Sequence, residues 1–359
     1  MKRIAMLGGG SGNRDITMAL CRSGHDVTRI VPAWDSGGSS RALRLAFGMV
    51  EIGDTRQALM TLAHGEGRVG SVVRFFNARL SEAASPADLR AELAFYADGR
   101  HPLLGTMENG IRRAILEYLE ELRGRIDDSF DLRRGSIGNF VLVGAYLAHG
   151  RDINTAIRMF RKLCAIDGNV WPSTTCGGVE LHAELRDGTP LRGQDRITAL
   201  DATQTRIGIR RVRLSAGDDG SVPAPNPEAL AAIARADIIL FGPGSFFTST
   251  LPHLAVTGIA DAVESTRRGV PKVLIGNILE CAESTGRSLA EERQAFDELA
   301  GRGLLTHVIA NRGFVPFERV AKGFRYLSEG APWPPAGAPP RLVADDFEDP
   351  WDRGRHDAD

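Results

Sequence analysis

The 359 residues carry 44 Lys and Arg against 45 Asp and Glu, a formal charge of −1, with 43% hydrophobic and 6% aromatic content. Near-neutrality excludes a global field toward nucleic acid or anionic lipid, and so few aromatics argue against a base-stacking surface. Four widely spaced cysteines, Cys21, Cys164, Cys176 and Cys281, form no CxxC or Cys/His ligand pattern and read as buried thiols in a reducing compartment.

The chain opens on a short apolar run, Ile4 to Leu7, too short for a signal core or a membrane span. No other segment is long and apolar enough to cross a bilayer, so a soluble cytoplasmic protein with no membrane or nucleic-acid partner is expected. Residues 3–7 read as a buried strand, Asp15 to Arg22 as a helix closed by Ser23-Gly24, and Asp26 to Val31 as a second strand ended by Pro32. Crossover rules make the two strands parallel. Asp54 is expected to N-cap a helix over 55–63. A helical stretch follows over 72–123, including the start signal Ser85-Pro86-Ala87-Asp88 and a charged helix around Ile111 to Leu122. Ser136 opens an unusually apolar helix, Ile137 to Ala148, expected to be buried on most sides. Residues 153–163 form the next helix.

From Val179 the period changes to two, and Asp187-Gly188 supplies a hairpin turn. Alternating helices and strands then resume: helix 228–235, strand 237–241, helix 254–267, strand 272–276, helix 288–299 and strand 306–310. After Ala331 the Pro-rich and then acidic composition reads as a poorly ordered or surface-hugging tail that Trp333 and Trp351 can dock. The expected architecture is one α/β domain over 1–330 with a doubly wound, mostly parallel Rossmann-like sheet. It carries a helical insertion at 72–134 and an antiparallel excursion at 179–214, and residues 331–359 form the tail. The insertion must pack somewhere, which makes a homodimer the expected assembly.

In an open parallel sheet, ligands bind outside the carboxyl ends of the strands. After the first strand comes Gly8-Gly9-Gly10-Ser11-Gly12-Asn13, small enough for backbone amides and a helix N-terminus to face an anion. A plain βα turn would look the same. Position 13 is not the last glycine of a dinucleotide fingerprint, and no Walker lysine follows. After the second strand, Asp35 can hold a ribose hydroxyl, bind Mg²⁺, orient an attacking hydroxyl or simply cap a turn. Beside it, Gly37, Gly38, Ser39, Ser40, Arg41 and Arg44 form a second nest of donors. A third loop, Gly242-Pro243-Gly244-Ser245, leads into a hydroxyl cluster at Thr248 to Thr250. Asn277 and Asn311 end two further strands. Asp54, Arg56 and Asn139 lie at helix starts, where capping alone would explain them. The histidines show no metal spacing.

Together these segments resemble the family of 2-phospho-L-lactate transferase (CofD) and the gluconeogenesis factor YvcK, more closely the YvcK branch. The matching pieces are GGGSGN at 8–13, DSGGSSR at 35–41, GDTRQAL at 53–59, SIGNFVL at 136–142 and GPGSFFTSTLPHLAVTGI at 242–259, with the Asn277 segment. The resemblance implies a nucleoside diphosphate in the cleft: Gly8 to Gly12 on phosphates, Asp35 toward nucleoside or metal, and Asn139, Ser245 and Asn277 along the walls. It implies Mg²⁺ and a phospho-acyl transfer to an alcohol in one branch, and a UDP-sugar-binding regulator in the other. Ser36 replaces the second acid of the family's loop, Phe247 replaces an aromatic hydroxyl, and Glu283-Ser284-Thr285-Gly286 departs from the family's acidic stretch. The single acid at Asp35 favours ligand binding over turnover. An NAD-dependent oxidoreductase is the weaker alternative, and neither NAD nor flavin is expected as a prosthetic group.

Overall fold

The computed structural model describes residues 1–36, 40–68, 70–217, 219–313, 325–335, 337–352 and 354–357. Strand β1 (Arg3–Leu7), helix α1 (Arg14–Arg22) and strand β2 (Asp26–Val31) form the predicted unit, its two strands parallel. A run of helices then fills the space before the next strand: α2 (Ser40–Phe47), α3 (Gly53–Gly65), α4 (Ser71–Phe76), α5 (Pro86–Ala97), α6 (Asn109–Arg123), α7 (Ile137–Ala148) and α8 (Ile153–Cys164). The side chain of Ser85 accepts from Asp88 N at the start of α5, as its sequence signal predicts. Eleven of the twelve residues of α7 are buried, which explains its nearly all-apolar sequence. Gly144 lets α7 meet α6, because a Cβ there would lie 1.8 Å from the Tyr118 carbonyl oxygen.

Strand β3 (Asn169–Pro172) was not legible from its four residues. Next come β4 (Glu180–Leu185), β5 (Pro190–Arg192), α9 (Gln194–Thr198), α10 (Ala202–Ile207) and β6 (Ile209–Ser215). β4 pairs antiparallel with both β5 and β6, giving the small sheet that the alternation anticipates. The chain returns through α11 (Pro227–Arg235) to β7 (Ile238–Phe241). A π-helical turn at Phe246–Thr250 follows, and the single helix expected over 254–267 is instead the end of a 3₁₀ turn at Leu251–Ala255 and a short α12 (Ile259–Glu264). Pro252 and the left-handed Gly258 at φ +76° punctuate that segment. Then follow β8 (Lys272–Ile275), α13 (Leu289–Ala300), β9 (His307–Asn311) and β10 (Arg341–Asp345).

The large sheet has the order β10-β9-β8-β7-β1-β2-β3, and every pairing in it is parallel. Residues 341–345, within the segment read as a tail, therefore supply an edge strand. Trp333 packs against the core, while Trp351 is 94% exposed. Strand order reverses between β1 and β7. That switch point is where the crevice of a doubly wound sheet opens. No helix among the described residues is long and apolar enough to cross a membrane.

Because the Tyr118 carbonyl cannot yield to a new methyl without moving α6, Gly144→Ala should cost about 2–3 kcal/mol in urea denaturation.

Candidate functional site

Two loops face each other at the switch point. Gly8–Asn13 follows β1 and Gly242–Ser245 follows β7. Gly242 N donates to the Leu7 carbonyl at 2.9 Å, joining the two strand ends. A Cβ on Gly12 would lie 2.8 Å from Gly244 Cα, so the loops touch backbone to backbone. Asn277, at the end of β8, fixes the second loop. Its Oδ1 accepts from Gly244 N and its Nδ2 donates to Gly244 O, both at 2.9 Å. The Asn277 amide, expected along the cleft wall, is thus engaged with backbone.

The first loop rests on a buried cation. Arg29, in β2 and 0% exposed, donates to Gly9 O and Asn13 Oδ1 at 2.5 Å and to Thr17 Oγ1 at 2.9 Å. Burial lowers its pKa to about 10, opposed by the charge of Asp54. Asn13, expected in the ligand site, is fully buried and braces the loop from behind. Gly8 is buried with it. Ser11 and Gly12 remain exposed at the tip.

Asp54 is not the N-cap of α3, a position taken by Ile52. Its Oδ1 accepts from Gly10 N at 2.8 Å, so this loop amide is occupied by a carboxylate. The N-terminus of α3 is satisfied instead by Glu51, whose carboxylate accepts from Gly53 N and, at 3.2 Å, from Asp54 N. Glu51 is fully buried and hydrogen-bonds Ser40 at the head of α2. Burial raises the pKa of both acids, and repulsion among Glu51, Asp54 and Asp35 raises them further.

A cavity of about 420 Å³ lies over this arrangement. Gly9, Gly10, Ser11 and Gly12 form one side, Asp35 and Asp54 another, and Gly244, Ser245 and Thr248 a third. Trp34 lines it while donating from Nε1 to Thr248 O at 2.8 Å, which joins the β2 and β7 sides. The small sheet also reaches it through Gln194. Ser36 holds α9 in place, donating to Asp195 Oδ1 and accepting from Asp195 N. Arg44 is tied to the Asp35 carbonyl at 3.0 Å.

A second cavity of about 400 Å³ shares Ser11, Gly12, Gly244 and Ser245 with the first and extends past Asn277. Other expected residues stand apart from both. Arg41 is exposed on α2, and Arg56 and Asn139 are buried without lining either cavity. Gly37, Gly38 and Ser39 lie outside the described residues.

Beneath the β7 loop sits a carboxylate that the sequence reading did not single out as functional. Glu283, fully buried, accepts from Thr248 Oγ1 at 3.0 Å and hydrogen-bonds Ser245. Burial pushes its pKa up to about 7, and that of the fully buried Glu292 on α13 up to about 8.

These features define a doubly wound α/β protein with a polar cleft at its switch point. A family model described as 2-phospho-L-lactate transferase CofD matches residues 4–330, and the chain belongs to that family. Among its relatives is a putative gluconeogenesis factor of Nostoc sp., 28% identical over 312 residues, covering 86% of this chain and 55% of the relative. The gluconeogenesis factor of Halalkalibacterium halodurans is also 28% identical over 312 residues, covering 86% of this chain and 77% of that one. A putative gluconeogenesis factor of Deinococcus radiodurans is 30% identical over 331 residues, 92% of this chain and 57% of the relative. The chain thus spans little more than half the length of the Nostoc and Deinococcus relatives. A solved structure of a UPF0052 family member from Bacillus halodurans shares the fold, with a TM-score of 0.69 at 24% identity over 100% of this chain and 97% of that one.

Replacing Arg29 by Met would strand Gly9 O and Asn13 Oδ1 in the interior, and should lower stability by about 3 kcal/mol or more in urea denaturation. Glu283 and Glu292 hold protons more tightly folded than unfolded, so their contribution is full below about pH 4.5 and is lost as pH rises through about 7 and 8. Unfolding free energy should therefore fall between pH 5 and pH 8, and Glu292→Gln should flatten that slope.

Proposed function

We propose that the protein binds a nucleoside diphosphate derivative of UDP-sugar type across the switch-point cleft and serves a regulatory or metabolic role. The observation that carries this reading is the meeting of two glycine loops, Gly9–Gly12 and Gly244–Ser245, over one polar cavity. Backbone amides at such a meeting point donate to phosphate oxygens at close range. An acid just past β2 suits a ribose hydroxyl, which is the role given to Asp35.

The charge of the cavity constrains how an anion enters it. Asp35 and Asp54 line the same cavity, and Gly10 N is already engaged by Asp54. A diphosphate would meet carboxylates unless a cation came with it. The repulsion that raises the Asp54 pKa is the kind a divalent cation relieves. Two carboxylates with ligand phosphates and waters make a normal Mg²⁺ environment, so Asp35 and Asp54 fit that ion. It would supply charge neutralisation at the phosphates. No group of three or more His, Cys, Asp or Glu side chains suited to a metal occurs among the described residues. Metal and ligand should accordingly bind together rather than separately.

Membership of a transferase family favours a second reading, in which a phosphorus-containing group moves from the bound donor to an alcohol. Asp35 would then orient the attacking hydroxyl.

In a thermal-shift panel, UDP-sugars or GDP derivatives should raise Tm in the presence of Mg²⁺. Ligand at a hundredfold over Kd adds about 2.7 kcal/mol. Asp35→Ala and Gly10→Val should abolish the shift. No shift with any nucleoside diphosphate, with or without Mg²⁺, would refute both readings, whereas turnover with an added alcohol would favour the transferase.

A further inference from the structure

The second cavity has a wall that the family match does not reach. That match ends at residue 330, yet Gly354, Arg355 and His356 line the cavity along with Ser11, Arg14 and Asn277. The segment after β10 crosses the carboxyl ends of the neighbouring strands and is tied to them in turn. Phe347 N donates to Asn311 Oδ1 at the end of β9, at 2.8 Å. Glu348, 4% exposed, accepts from Tyr326 OH at 2.9 Å and from Gly354 N at 2.8 Å. His356 Nε2 then reaches the Gly276 carbonyl beyond β8, at 3.0 Å. A Cβ on Gly354 would lie 2.5 Å from Leu279 Cδ1, so this strap is seated tightly.

We propose that the second cavity is the subsite for the polar, hydroxylated substituent carried on the terminal phosphate, and that the strap formed by residues 347–352 and 354–357 is its outer wall, with Arg355 contacting that substituent. The inference rests on the nucleoside diphosphate reading. Ser11, Gly12, Gly244 and Ser245 border both cavities. A diphosphate held at the loops therefore has the nucleoside side toward Asp35 and its other end toward Arg355. The chemistry of the second side suits hydroxyls: guanidinium donors at Arg14 and Arg355, a carboxylate acceptor at Asp15 and the amide of Gln57. Arg355 Nε is engaged by Asp352 at 3.0 Å. Its Nη1 stands 3.7 Å from Asp15 Oδ2, beyond hydrogen-bond range, which leaves donors for a ligand between them.

Two measurements test this. Calorimetric titration with Mg²⁺ would use UDP and GDP, each alone and each carrying glucose. Arg355→Ala should weaken the glucose-bearing ligand tenfold or more and change the bare diphosphate less than twofold. Equal losses for both, or no loss for either, would overturn the subsite. If the unaltered protein binds neither kind of ligand, the nucleoside diphosphate reading fails first and this inference falls with it. The second measurement needs no ligand. Cys281 lines the same cavity, so His356→Ala should accelerate its thiol labelling severalfold, mapped by mass spectrometry, while buried Cys164 stays unreactive. An unchanged Cys281 rate would show that the strap is not the wall.

Discussion

A guanidinium sealed behind a glycine loop sets the terms for the whole cleft. Arg29 lies in a strand hydrogen-bonded on both sides, so its position is fixed by the sheet, and its donors fix Gly9 and Asn13 in turn. A loop of small residues would otherwise sample many conformations, and ordering it only on binding would cost affinity. Here the ordering is done during folding. The tip at Ser11 and Gly12 is left open while the loop's inner face is braced.

The same cation offsets one of the acids gathered around the loop. Asp54 sits in its field and takes the Gly10 amide, and Glu51 takes the first amides of α3. Each carboxylate is satisfied by backbone donors, yet each is pushed toward its protonated form by burial and by its neighbours. The β7 side repeats the arrangement in a milder form, with Glu283 under Thr248 and Ser245. The cleft is thus built of backbone amides and hydroxyls over buried acids, so the diphosphate proposed for it would need compensating positive charge.

The alternation of apolar runs with helical segments revealed the β1-loop-α1-β2 unit, the switch-point loops and the small antiparallel sheet. What periodicity could not reveal was the direction of polar side chains. Arg29 sits between Thr28 and Ile30 in a strand, where a charge reads as an exposed edge position. Asn13 closes the loop after β1 and Asn277 follows β8, both beside the cleft, but the sequence pattern does not show that Asn13 accepts from Arg29 or that Asn277 pairs with the Gly244 backbone. Asp54 had the spacing of a helix cap, and only the approach of the β1 loop gave its carboxylate another partner. β3 and β10 were missed because each is four or five residues long and contains or follows prolines. The helix expected over 254–267 is broken at Gly258, whose left-handed conformation separates a 3₁₀ turn from the short α12.

The strap that links Asn311, Gly276 and the second cavity also shapes how the molecule assembles. The cleft joins residues 8–12 to residues 354–356, and the seven-stranded sheet places β1 at its centre with its edges drawn from residues 169–172 and 341–345. Such pairings close very long loops, and parallel sheets of this kind form slowly. The helices between β2 and β3 pack through local contacts and can consolidate early, before the crevice exists. This topology predicts that the cleft forms late. Ligand would meet a finished pocket, and a partly folded chain would have nothing to hold it with.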